Sequence, residues 1–275
     1  MKRKIIMNRK LILIISDGGG NSPLKGVHKD KDNYLDFFKS PEGGAWMDDE
    51  IKVYDHNDFY LDALRVLDLN ARLTNPIEYY LIVYCGHGYT DEQSRIHLEV
   101  RPDCDLLLDD LQATVARSRY LIISDSCRAV VRLKEGGRIN HRVFSAGDVA
   151  RQSAYADLCR DYYNEKVAQT PQNMHMVLFA DSFSETAGET KNGGYYSYAL
   201  MESAREAKID ANNKQKLYAC SYSYSVDDIH QMAAQKVRNQ THDTQHPEIV
   251  ENSRNANRLP FVVVPHWLLQ FEEEE

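Results

Sequence analysis

Four short runs of apolar residues punctuate the chain, and each breaks off abruptly into small or polar residues. They are KLILIIS (10–16), EYYLIVYC (78–85), YLIISD (120–125) and HMVLFAD (175–181). Within each run apolar and polar residues do not alternate, so both faces of these extended segments are expected to be covered. IKVYD (51–55) and RLPFVVVP (258–265) read as further strands, and HLEV (97–100) as a short strand in an excursion. Between them the apolar period changes to that of a helix. DKDNYLDFFKS (30–40) places Tyr34, Leu35, Phe37 and Phe38 on one side, and NDFYLDALRVLDLNARL (57–73) opens on an Asn/Asp cap. LLLDDLQATVARS (106–118), residues 148–169, SYALMESAREAK (197–208) and the Ser-capped SVDDIHQMAAQKVRNQ (225–240) are also predicted to be helical.

This alternation predicts an α/β domain: a mostly parallel central β-sheet of about six strands, flanked by helices on both faces. In such sheets the site lies beyond the carboxyl ends of the strands. The residues there are Asp17, then Cys85-Gly86-His87-Gly88, then Asp125-Ser126-Cys127-Arg128, then Asp181-Ser182. A thiol becomes a strong nucleophile as the thiolate, and a histidine beside it can supply the base. His87 and Cys127 end different strands and can face each other if those strands are neighbours. Glycines around His87 leave backbone N–H groups free to meet an oxyanion. These parts suit acyl transfer at a peptide carbonyl.

Composition narrows the classes. At 275 residues the chain can bury one large core, and its net charge of −8 argues against a nucleic-acid surface. The five cysteines are odd in number and widely spaced, which reads as free thiols in a reducing, cytoplasmic setting. The apolar run 11–15 is too short for a secretory segment, and no stretch approaches a membrane span. Cys85, two residues before His87, invites a metal reading with Cys127. The ligand spacing of a structural zinc site is lacking, so Cys85 reads as core filler and no metal or cofactor is expected. Gly18-Gly19-Gly20 lacks the Lys-Ser/Thr of a phosphate loop. His242, Asp243 and His246 read as a solvated loop.

YCGHGY (84–89) and SDSCRA (124–129) resemble the histidine and cysteine motifs of the caspase fold: caspases, metacaspases and bacterial caspase-like peptidases. LKGVHKDKDNYLDFF (24–38) resembles the family's first-helix segment, GYYSYALMES (194–203) the start of its small-subunit helix, and QHPEI…RLPFVVV (245–264) its closing strand. The resemblance spans about residues 10–265. It implies a single domain over 1–275, with a large-subunit-like half at about 10–127, a linker and helix at 128–170 and a small-subunit-like half at 171–265. It implies a cysteine endopeptidase with His87 and Cys127 as the catalytic dyad and the N–H groups of Gly88 and Cys127 as the oxyanion hole. Asp125 stands where metacaspases carry an aspartate in an acidic pocket for Arg or Lys. Asp181 resembles a second pocket residue, and Asp17 is expected to form a third wall.

The chain departs from metacaspases at Ser126, Arg128 and Ala129-Val130, and no separate acidic loop resembles a calcium site. The expected partners are a protein substrate and an activating partner or small-molecule signal, with neither nucleic acid nor membrane. The resemblance makes an effector of a bacterial antiphage or cell-death system plausible. RAVVRLKEGGRINHR (128–142) matches an acidic pocket as a self-cleavage linker; RLPFVVVP could pair two copies as the edge strand of caspases does, whereas metacaspases usually stay monomeric, and the sequence leaves both open. The competing reading is a caspase-fold binding module without cutting activity. A serine hydrolase is disfavoured because Ser126 sits in no G-x-S-x-G elbow.

Overall fold

The computed structural model describes residues 5–18, 23–55, 76–101, 104–129, 154–190, 192–252 and 257–266. Its strands are β1 (Arg9–Ile15), β2 (Ile51–Asp55), β3 (Tyr79–Cys85), β4 (Gly88–Thr90), β5 (Ile96–Arg101), β6 (Cys104–Leu107), β7 (Arg119–Asp125), β8 (His175–Phe179), β9 (Glu189–Thr190), β10 (Gly193–Gly194), β11 (Tyr222–Ser225), β12 (Glu248–Glu251) and β13 (Pro260–Val264). The helices are α1 (Gly26–Lys39), α2 (Leu108–Val115), α3 (Ala154–Ala168), α4 (Tyr195–Tyr218) and α5 (Val226–Gln240).

The central sheet has six strands in the order β12-β8-β7-β3-β1-β2. All neighbours run parallel except β12, which pairs antiparallel with β8. The period of two along each strand divides its apolar residues between two cores. Leu11, Leu13, Ile15, Leu81, Val83, Leu121, Ile123, Met176 and Leu178 face the layer that holds α1, α3, α4 and α5. Ile12, Ile14, Tyr80, Ile82, Tyr84, Ile122, Val177 and Phe179 face α2 and the small sheet β4-β5-β6. At about 1.5–3 kcal/mol for each fully buried large apolar side chain, burial on both faces explains why the central strands read as continuous apolar runs.

The amino-terminal end of the sheet is locked by charge. Arg9 is fully buried, donates Nε–H to Glu50 at 3.2 Å and lies 4.2 Å from the Trp46 ring centre, while Arg160 donates to the same carboxylate at 2.7 Å. This leaves the opposite end, where β1, β3, β7 and β8 terminate, free for a site. Ser225 caps α5 as expected, its hydroxyl accepting from Asp228 N–H at 3.2 Å.

Two expectations need correction. RLPFVVVP is not part of the central sheet: β13 is fully buried and pairs antiparallel with β11 in a separate two-stranded sheet. The sixth place in the central sheet belongs to β12, whose glutamates and half-exposed Val250 suit an edge. Arg128 is buried in the fold, so it is not part of an exposed cleavage loop. Residues 130–142 of that proposed linker lie outside the described residues, as does the helix expected at 57–73. Among the described residues no helix is long and apolar enough to cross a membrane.

Candidate active site

Strands β3 and β7 are neighbours in register, with Cys85 beside Asp125, and Gly86 N–H donates to Asp125 O at 3.2 Å. His87 and Cys127 each follow that pair by two residues, so they leave the sheet side by side. Three contacts fix His87. Gly18, at the end of β1, has φ +74°, and a Cβ there would stand 2.1 Å from the imidazole Cδ2. The ring therefore packs on bare backbone that no other residue could supply. Tyr84 O–H donates to His87 O and to Glu99 O, the latter at 3.0 Å, and Glu99 N–H donates to His87 O at 3.0 Å. Gly18→Ala is expected to keep the fold but slow modification of Cys127 about 10- to 100-fold, because small misplacements of a reacting group carry penalties of that size. Pulse labelling of Cys127 with chloroacetamide measures it.

Gly88 lies against the Ser126–Cys127 turn, where a Cβ would stand 2.9 Å from Ser126 Oγ and 3.0 Å from His97 O. Only glycine lets the β4 backbone approach this turn so closely. The Cys127 thiol donates to Ala187 O at 3.5 Å. Burial pushes this thiol up from its ordinary range, and the charges of Asp181 and Asp125 push the same way, so the resting side chain is protonated.

Arg128 holds the turn from behind. Its N–H meets Asp181 Oδ2 at 3.1 Å and its Nε–H meets Asp181 Oδ1 at 3.1 Å. Its far nitrogen donates to Asp181 O and to Glu248 Oε2, the latter at 2.6 Å. The guanidinium also lies 4.2 Å from the Phe179 ring centre. Asp181 therefore does not fit the substrate-binding role expected of it: its carboxylate is fully buried and engaged by Arg128. Asp17 reaches His28 Nε2 at 3.6 Å, at the side of the site near the start of α1.

Asp125 is buried, and Ser197 N–H donates to its Oδ2 at 3.0 Å. A second buried carboxylate accompanies it. Asp30, in the second turn of α1, accepts from Gly194 N–H at 2.9 Å through Oδ2, while its buried Oδ1 has no hydrogen-bond partner among the described residues. A Cβ on Gly193 would meet Asp30 Oδ1 at 1.9 Å, and one on Gly194 would meet Asp125 Oδ2 at 2.3 Å, so backbone alone separates the two groups from the β9–β10 hairpin. Tyr34 and Ser197 complete the surroundings through a 3.0 Å hydroxyl contact, with Cys85 Sγ 4.0 Å from Ser197 Oγ. Burial pushes both carboxyls up, with Asp125 also raising Asp30 and Glu189 raising both. Among the described residues neither carboxylate has a cationic partner. Asp30 was missed from the sequence, although a signal exists: Asp30, Tyr34 and Phe38 follow at i, i+4 and i+8, which puts a charge on the buried stripe of α1. Among the described residues no group of three or more His, Cys, Asp or Glu side chains converges as metal ligands would.

The model of the caspase domain matches residues 9–257. The chain belongs to the caspase-domain peptidase family. The crystal structure of caspase-1 from Spodoptera frugiperda shares the fold with a TM-score of 0.53 at 14% identity, over 89% of this chain and 88% of that one. No curated protein matches the sequence. For a caspase-domain chain the carboxyl end of the sheet is where catalysis is expected. Here that end carries His87, Cys127, the close-packed Gly88 and, two residues before the cysteine, the carboxylate of Asp125.

Proposed function

We propose that this caspase-domain protein is an endopeptidase that attacks with Cys127, uses His87 as its proton carrier and cuts after Arg or Lys. In this reading His87 takes the thiol proton as Sγ attacks the carbonyl carbon. The N–H groups of Gly88 and Cys127 hold the oxyanion, and His87 returns the proton to the leaving amine. Water then releases the acyl group from Sγ.

The observation that carries the specificity is the pair of buried carboxylates, Asp30 and Asp125, with no cation beside them among the described residues. Two buried carboxyl groups are costly to ionise side by side unless a positive group answers them. A substrate guanidinium or ammonium passing Gly193–Gly194 would be that group. Asp30 thus takes the place that sequence reading gave to Asp181. Asp17, paired with His28, lies at the margin of the site and is given no more than a wall.

The test is a mixed peptide library incubated with the wild-type chain and with Cys127→Ala, the products being read by mass spectrometry. Cuts after Arg or Lys that vanish in the variant are the expected result. Cuts after other residues would keep the peptidase and sink the acidic subsite. Complete silence, also in the presence of host-cell extract, would favour the binding-module reading. The protonated resting thiol, turned to Ala187 O, accords with an enzyme that waits for a signal. We extend the proposal to an inducible effector of an antiphage or cell-death system. Growth arrest on overexpression that Cys127→Ala abolishes is the corresponding expectation.

A further inference from the structure

The small sheet that follows His87 presents two unlike faces. Leu98, Val100 and Leu106 point into the core, and their neighbours along the strands point away from it. On that outer face Tyr89 and His97 stand opposite each other across β4 and β5, with rings 4.6 Å apart and nearly parallel. Stepping two residues back along β4 and two forward along β5 keeps the same face. That step reaches His87 and Glu99, joined through the 3.0 Å bond from Glu99 N–H to His87 O. Side chains directly opposite in this way rise from Cα atoms about 5.5 Å apart.

From this placement we infer that Glu99 is a positioning residue for the catalytic histidine: its carboxylate supports the charge that His87 acquires when it takes the Cys127 proton. The inference rests on the dyad proposed above. Tyr84 clamps the carbonyls of both His87 and Glu99, so the two strands cannot slide and the pair keeps its register. Across the next ladder Glu99 stands beside Asp105 of β6. Like charges directly opposite on neighbouring strands repel, so Glu99 is disfavoured on that side and favoured by His87 on the other. Burial pushes the Glu99 carboxyl up, the His87 charge draws it down, and Asp105 pushes it up again.

The other titratable groups on this face are accounted for. Asp105 accepts from the Tyr89 hydroxyl at 2.5 Å and lies 3.5 Å from His97 Nδ1, and Asp91 lies 3.0 Å from His97 Nε2. Beyond Glu99 a register shift against β6 interrupts the alternation before Arg101, and Tyr84 approaches from β3. His97 thus has two carboxylates of its own, whereas Glu99 is the carboxylate opposite His87.

The experiment follows alkylation of Cys127 by chloroacetamide, resolved by peptide mass spectrometry, from pH 5 to 10 in the full chain. Wild type, His87→Ala, Glu99→Gln and Glu99→Asp are compared, with melting curves in parallel. The expected result is that Glu99→Gln slows alkylation about three- to tenfold near neutrality and moves the acid limb of the profile, where His87 gains its proton, to lower pH, and that Glu99→Asp restores part of both. If His87→Ala changes the profile while Glu99→Gln superimposes on wild type, the inference is overturned and the dyad stands. If His87→Ala leaves the profile unchanged, the dyad falls and the inference with it. Glu99→Met, similar in length and without polar atoms, carries the same comparison should Glu99→Gln fail to melt cooperatively.

Discussion

Asp125→Asn is expected to lower kcat/KM for peptides with Arg or Lys before the cut by about 150- to 5,000-fold, and to raise the melting temperature of the substrate-free protein. Both effects have one origin. Breaking a buried ion pair by removing one partner costs about 3–5 kcal/mol, which corresponds to that range of rate. Without substrate the pair does not exist, and the carboxylate is a liability held by Ser197 N–H against desolvation and the nearby charge of Glu189. The amide keeps an oxygen for Ser197 and removes the charge. A structural role alone predicts the opposite sign for stability, so steady-state kinetics and melting curves on one preparation separate the two explanations.

Asp30 gives the same logic a pH axis. Burial and the charge of Asp125 push its carboxyl from the ordinary 3.8 up to about 8 in the folded chain. Below the unfolded value both states are protonated and nothing is lost. As pH rises from about 4 the unfolded chain ionises first, so the folded state binds more protons and stability declines until about pH 8. Above that both states are ionised and the decline levels off. Asp30→Asn is expected to flatten this slope, which urea unfolding at pH 4, 6 and 8 measures, and to raise KM for basic peptides.

Much of this was legible in the chain. Continuous apolar runs mark strands buried on both faces, and residues just past such strands must stand at the sheet's carboxyl edge, which locates His87 and Cys127 without coordinates. The rest depends on partners far apart in sequence. Asp125 and Asp181 look alike as strand-end aspartates, and only the tertiary structure shows one without a cation among the described residues and the other joined to Arg128. Asp30 sits on a helix remote in sequence from either motif and is brought to Asp125 through Gly194 and Ser197. The exchange of β12 for β13 has a similar cause. PFVVV has the composition of a central strand and is indeed buried, but helices and β11 cover it, while the more polar EIVE completes the main sheet. Apolar pattern reports burial; it does not report which sheet a strand joins.

Arg128→Ala is expected to be the most destabilising single change at the site, costing about 3–5 kcal/mol, because it strands a buried charge. Asp181 is fully buried and both its oxygens meet Arg128. The backbone N–H survives the substitution, but the guanidinium and its stacking on Phe179 do not. Arg128 also ties the nucleophile turn to its surroundings, since Thr90 Oγ1–H and Ser184 N–H donate to its carbonyl at 3.0 and 3.2 Å. Burial raises the Asp181 carboxyl and Arg128 opposes that rise, so the variant's deficit should shrink as pH falls and the stranded group takes up a proton. Arg128→Lys keeps a charge but not the fork, and should recover only part of the loss. The decisive comparison is the double variant Arg128→Ala/Asp181→Asn, which removes both charges. Recovery of 1 kcal/mol or more relative to Arg128→Ala would place the cost in the uncompensated carboxylate. A double variant as unstable as the single would place it in the lost packing on Phe179. In that event Arg128 would serve the site as a space-filling wedge behind Cys127, with its charge incidental.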